Sequence, residues 1–129
     1  MPKLKVIINS KELGIYTVSL FGPLDTITHT TLEKEIEAIL TPSTKALILN
    51  MEGVNYISSM GIGSLFKIVN VMKGHNSSVV FTNLQPQIKK VFDTVKVLPE
   101  AIFTSMEEVD TYLNAIQNKE IDQRKPPSL

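Results

Sequence analysis

The apolar positions change period several times along the chain, and each change marks an element. Leu4 to Ile8 is apolar and β-branched, and Asn9 to Gly14 reads as a turn. Ile15 to Phe21 sets Tyr16, Val18 and Leu20 against Thr17 and Ser19, which predicts the second strand of a hairpin ended by Gly22-Pro23. Leu32, Ile36, Ile39 and Leu40 then recur at helical spacing, with Glu33, Lys34, Glu35 and Glu37 on the other face. Thr30 with Glu33 forms a potential capping box, although a start near Asp25-Thr26 also fits, and Thr41-Pro42-Ser43 ends the helix.

Ala46 to Leu49 is a continuous apolar run and predicts a strand buried on both faces. From Ile62 the spacing is helical again through Leu65, Phe66, Val69 and Met72. Ile68 and Val71 widen the stripe, which predicts a helix buried on most sides and stopped at Gly74. Ser78 to Thr82 is a further strand. Pro86 stands early in a helix carrying Ile88, Val91, Phe92 and Val95. Ile102-Phe103 reads as a very short fifth strand, and Ser105 with Glu108 as the capping box of a last helix with Val109, Leu113 and Ile116. The order β-β-α-β-α-β-α-β-α predicts an α/β fold, with about four helices on a mixed, mostly parallel sheet of about five strands. The expected organisation is one domain over residues 1–117 and a flexible tail over 118–129.

Composition narrows the function classes. A length of 129 residues suits one domain, and 43% hydrophobic content can fill its core. Lys+Arg and Asp+Glu are both 13, so there is no basic surplus of the kind that marks nucleic-acid binding. Cysteine is absent, and His29 and His75 are too few for a metal constellation, so no metal or cofactor is expected. The N-terminal apolar run is only Val6-Ile7-Ile8, and no segment approaches the roughly 18 apolar residues of a membrane helix. The expectation is a soluble cytoplasmic protein.

The candidate chemistry lies in Tyr56-Ile57-Ser58-Ser59-Met60-Gly61-Ile62-Gly63, where two hydroxyls and two glycines interrupt an apolar run. Ser58 or Ser59 can cap the helix that begins near Gly61, with the glycines letting the loop turn and the helix approach the sheet. A nucleophilic serine needs a base in reach. The order G-x-S-x-G is missing, and His29 and His75 read as solvated turn residues. The Gly61-Ile62-Gly63 stretch lacks the last glycine of G-x-G-x-x-G, although its N–H groups can still meet a phosphate. A regulatory phosphosite is the fourth reading, because a helix N-terminus tolerates the added negative charge. That reading expects the hydroxyl of the serine concerned to be accessible.

Three stretches resemble the STAS family of bacterial anti-sigma factor antagonists. Gly22-Pro23-Leu24-Asp25 is similar to the family's G-x-L-D turn. Leu47 to Val54 is similar to its buried strand, and Tyr56 to Gly63 to its D-S-[ST]-G-L-G loop. Ser58, Asn50 and Met60 stand where the family has an acidic residue, an aspartate and a second hydroxyl. The resemblance implies a non-catalytic interaction module that binds a serine-kinase anti-sigma factor. It implies Ser59 as phosphoacceptor, with Ser58 as alternative, and a partner surface of Asp25, Ser58, Ser59, Met60, Gly61 and Gly63. The other function it implies is a sensing or scaffolding module that binds a nucleotide or other ligand, or joins a complex, without phosphorylation. Neither implies nucleic acid or membrane as partner.

Overall fold

A computed structural model describes residues 3–97 and 113–118. The element order is β1 (Lys5–Glu12), β2 (Ile15–Phe21), α1 (His29–Ile36) with a 3-10 turn over Glu37–Ile39, β3 (Ala46–Gly53), α2 (Ser59–Gly74), β4 (Ser78–Thr82) and α3 (Pro86–Val97). Residues 113–118 are helical. The strands form one sheet in the order β1-β2-β3-β4, with β1 antiparallel to β2 and the other pairs parallel. This is the mixed, mostly parallel α/β architecture expected, with four strands among the described residues. The expected fifth strand at Ile102-Phe103 and the Ser105–Glu108 box lie outside the described residues, as does nearly all of the expected tail.

Register explains which face is covered. Val6 pairs with Leu20, Ile8 with Val18, Val18 with Leu49 and Leu49 with Phe81, so these side chains share one face. They pack with Leu32 and Ile36 of α1, Leu65, Ile68 and Met72 of α2, and Ile88 and Val91 of α3. The other face carries Ile7, Thr17, Ser19, Ile48, Asn50 and Val80, none of them buried. The expectation that β3 is buried on both faces is therefore corrected. Leu47, Leu49 and Met51 are buried, whereas Ala46, Ile48 and Asn50 alternate with them only partly buried. A continuous apolar run does not distinguish one covered face from two when the outward residues are themselves apolar.

Several boundaries also move. The β1 strand continues through the polar Asn9-Ser10-Lys11-Glu12, because Asn9 pairs with Thr17 and Ser10 with Tyr16, and the turn shrinks to Leu13-Gly14. The start of α2 is Ser59 rather than Gly61. The helix ends at Gly74 as expected, but Gly74 is the last helical residue and not the left-handed cap. Asn76 instead takes the left-handed position at φ 57°, and Ser77 N donates to Met72 O at 2.8 Å while Asn76 N donates to Lys73 O at 3.1 Å. This is a Schellman ending with asparagine in the place usually held by glycine. Phe66, expected in the stripe of α2, is 50% exposed. It shares with Met60, Gly63, Lys67 and Asn70 an exposed face, so α2 is not buried on most sides.

Candidate functional site

Two segments distant in sequence are stitched together where β3 gives way to α2. After Gly53 a turn closes through Val54 N to Met51 O at 2.9 Å, and the chain runs extended to Ser58. Leu24 lies beside it and forms a parallel bridge with Ile57. Leu24 N donates to Tyr56 O at 2.9 Å, and Ser58 N donates to Leu24 O at 3.0 Å. Gly22 starts this approach with φ 115° and donates its N–H to Gly53 O at 2.9 Å. The first turn of α2 then passes so close that a Cβ on Gly61 would stand 2.4 Å from Leu24 O. Any side chain there would force the Leu24 backbone to shift. Gly63, by contrast, has open space where its Cβ would be. Of the two loop glycines, only Gly61 permits the close approach that the sequence suggested for both.

The two serines take different positions. Ser58, in extended conformation, is the N-cap of α2, and its Oγ accepts from Gly61 N at 3.3 Å. Ser59 is the first helical residue. It is only 8% exposed, and its Oγ is out of contact with solvent. The accessible hydroxyl expected at Ser59 is therefore not found. The sequence showed an apolar-polar-apolar transition but not which way the first turn of the helix would face. Met60 is exposed, as is Ile27 in the turn before α1. Since Leu24 abuts Gly61 and His29 reaches Ser64, the 25–28 turn runs beside the first turns of α2. The structure thus brings Asp25, Ser58, Ser59, Met60 and Gly61 into one neighbourhood, with Gly63 one turn along.

Asp25 is held by its own turn. Its Oδ1 accepts from Ile27 N and Thr28 N, each at 2.9 Å, and Asp25 N donates to Thr28 Oγ1 at 2.9 Å. The Thr28 hydroxyl donates to Pro23 O at 2.7 Å. This is a reciprocal capping box built on Asp25 and Thr28. The Thr30–Glu33 box is not formed, because the Thr30 hydroxyl donates to Ile27 O at 3.1 Å and Glu33 is engaged elsewhere. Partial burial pushes the Asp25 carboxyl up, but the bonds from Thr28 N, Ile27 N and the Thr28 hydroxyl, with a nearby His29, together hold it below the usual range.

Beside this turn, α1 and α2 share a polar cluster. Glu33 Oε1 accepts from Lys67 Nζ at 2.8 Å, and Oε2 accepts from Ser64 Oγ at 2.8 Å and contacts His29 Nδ1 at 2.9 Å. Bonds from Lys67, Ser64 and His29 lower the Glu33 carboxyl to about 2. A serine, a histidine and a carboxylate in contact invite comparison with a catalytic triad. Here, however, Ser64 and Glu33 both meet the same ring nitrogen, at 3.2 and 2.9 Å. A triad needs the serine on one nitrogen and the carboxylate on the other. Because Ser64 Oγ donates to the Glu33 carboxylate, which can only accept, Nδ1 is the donor to both, and the ring is no base for Ser64. His29 is also not the solvated residue expected, since its side chain is 14% exposed.

Residues that the sequence did not single out hold the approach to α2. Gln85 Nε2 donates to Glu52 O at 2.8 Å, and Gln87 Nε2 to Asn55 O at 3.0 Å. Gln117, in the helical segment 113–118, donates from Nε2 to Ile57 O at 2.8 Å and accepts at Oε1 from Ile57 N at 2.9 Å. Tyr56 donates its hydroxyl to Asn114 of the same segment. The available signal was a glutamine four residues after Leu113, on the face that otherwise points to the core. Among the described residues there is no group of His, Cys, Asp or Glu able to hold a metal ion, and no helix long and apolar enough to cross a membrane.

A STAS domain family model matches residues 7–110. The chain belongs to the STAS domain family. No curated sequence relative matches it. Solved STAS-like structures resemble this STAS domain in fold. The anti-sigma factor antagonist from Mycobacterium paratuberculosis aligns at TM-score 0.63 and 21% identity, over 88% of this chain and 94% of its own. The Bacillus cell fate determinant SpoIIAA in its phosphorylated form aligns at TM-score 0.61 and 17% identity, over 76% of this chain and 95% of its own. The murine Slc26a9 anion transporter aligns at TM-score 0.60 and 15% identity, over 89% of this chain but 22% of its own. The STAS domain thus spans most of the antagonists' length and a small part of the transporter's.

Proposed function

We propose that this STAS domain is a non-catalytic regulatory module of the anti-sigma factor antagonist type. It docks a serine-kinase anti-sigma factor through the 25–28 turn and the start of α2, and it is switched by phosphorylation of Ser59. The observation that carries this reading is the stitching of Leu24 to Tyr56, Ser58 and Gly61. It makes one surface of the two segments that bear the family likeness, with Ile27 and Met60 exposed beside the serines. In the switching step the kinase transfers the γ-phosphoryl group of ATP to Ser59 Oγ, ADP leaves, and the hydroxyl proton passes to the kinase's base. The product dianion sits in the first turn of α2, where the helix dipole favours negative charge. Because Ser59 Oγ is buried in this state, the modification requires the first turn of α2 to open locally, and a partner surface docked there then meets a charge it must desolvate.

The test is co-purification and affinity in the protein's own cells. Wild type and Ser59→Ala should retain a histidine-kinase-like ATPase that Ser59→Asp releases. A tenfold loss of affinity corresponds to about 1.4 kcal/mol. Equal retention by all three variants would remove the switch. The burial of Ser59 favours a second reading, a sensing or scaffolding module that works without phosphorylation. The fold likeness to part of a transporter chain is in keeping with that alternative.

A further inference from the structure

The extended segment before Ser59 has a backbone neighbour on one edge and a side chain on the other. Leu24 bonds to Tyr56 O and Ser58 N, the groups flanking Ile57. In such a parallel bridge the N–H and C=O of Ile57 itself point away from Leu24. The Gln117 amide meets both, at 2.9 and 2.8 Å, and so stands where the peptide unit of a further strand would stand. Its Nε2 also reaches Leu113 O at 3.2 Å, which ties the amide to its own helix. Ile57 is fully buried and Gln117 is 1% exposed, so water does not substitute for the amide in this state. Tyr56 is tied to Asn114, one turn earlier in the same helical segment.

We infer that Gln117 is a latch on the serine site. The helical segment 113–118 fixes the backbone two residues before Ser59, and its release is what exposes the Ser59 hydroxyl. Access to Ser59 is then governed from a part of the chain remote in sequence, and a partner that draws the segment away opens the serine. The regulatory consequence rests on the reading of Ser59 as the modified residue. The opening itself does not, and it can be measured without any kinase.

The 129-residue chain contains no cysteine, so Ser59→Cys places a single thiol at the buried position. Its labelling by a small aromatic disulfide reagent reports exposure. With Gln117 intact, labelling should be at least tenfold slower than that of Met60→Cys, which stands in solvent. Adding Gln117→Met, which keeps volume but removes both bonds to Ile57, should speed Ser59→Cys labelling at least tenfold and leave Met60→Cys unchanged. Amide exchange at Leu47 and Leu49 in β3 serves as the internal reference and should stay within a factor of about two. Should Gln117→Met fail to fold, Gln117→Ala, which admits water to Ile57, carries the same comparison. Unchanged labelling, or an equal rise at Ser59 and in β3, overturns the latch. Unchanged labelling with phosphate mapped at Ser59 removes the latch alone, whereas faster labelling with no phosphate at either serine removes the switch alone.

Discussion

Gly61→Ala probes the contact that joins the two halves of the site. The new Cβ would stand 2.4 Å from Leu24 O and 3.0 Å from both Leu24 C and Leu24 Cγ. Reaching even 3.0 Å from the oxygen needs a shift of 3.0 − 2.4 = 0.6 Å, and the atom that must yield is backbone. The same oxygen accepts from Ser58 N at 3.0 Å, so its retreat also strains the bond that holds the N-cap residue. Overpacking costs about 1–3 kcal/mol, and a weakened hydrogen bond about 0.5–1.5 kcal/mol. Against these stands up to about 1 kcal/mol of helix propensity gained by replacing glycine. The net expectation is a loss of about 1–3 kcal/mol. Gly63→Ala is the internal control, because its Cβ meets nothing within 4 Å and its φ is not positive. It should gain about 0.4–1 kcal/mol. With a urea dependence of about 1–3 kcal/mol per molar for a small domain, a loss of 2 kcal/mol lowers the midpoint by about 1 M. Equal midpoints for Gly61→Ala and Gly63→Ala would refute the close approach of Leu24 to α2.

Ser58→Ala removes the cap on Gly61 N and should cost about 0.5–2 kcal/mol by urea denaturation, while Ser58→Asp should retain most of the stability. Asp25→Ala frees Ile27 N and Thr28 N and should cost a similar amount, about 0.5–2 kcal/mol, with Asp25→Asn recovering part of it. Glu33 has a folded pKa lowered from 4.5 to about 2, so its contribution is present above pH 4.5 and is lost as pH falls towards 2. Glu33→Gln should therefore flatten the fall in urea midpoint over that window. Added salt should shrink the difference, because Lys67 is well exposed.

The strands β2 and β4 were legible in the sequence because apolar and β-branched residues there are bounded by turn chemistry at Gly14, Gly22 and Gly74 to Ser77. The hairpin turn was drawn too long, since polar residues on an exposed stretch of β1 still pair with Thr17 and Tyr16. Whether Ile48 is covered depends on where the helices go. Among the described residues the helices use the Leu47-Leu49 face, and no local pattern records that choice. Phe66 shows the same limit, because aromatic character alone does not place a residue on the buried stripe. At the site, the spacing of serines and glycines located the helix start to within two residues and included Ser58 among the possible caps. The burial of Ser59 and the reach of Gln117 to Ile57 depend on tertiary contacts spanning up to 60 residues, so neither could be read locally.

The central claim, that Ser59 is the point at which this module is switched, is tested most directly by intact-mass measurement and site mapping of the protein purified from its own cells. The account predicts a phosphorylated fraction carrying one phosphate, mapped to Ser59 and absent from Ser59→Ala. A protein that carries no phosphate at Ser59 or Ser58 under any growth condition that engages its partner would contradict it.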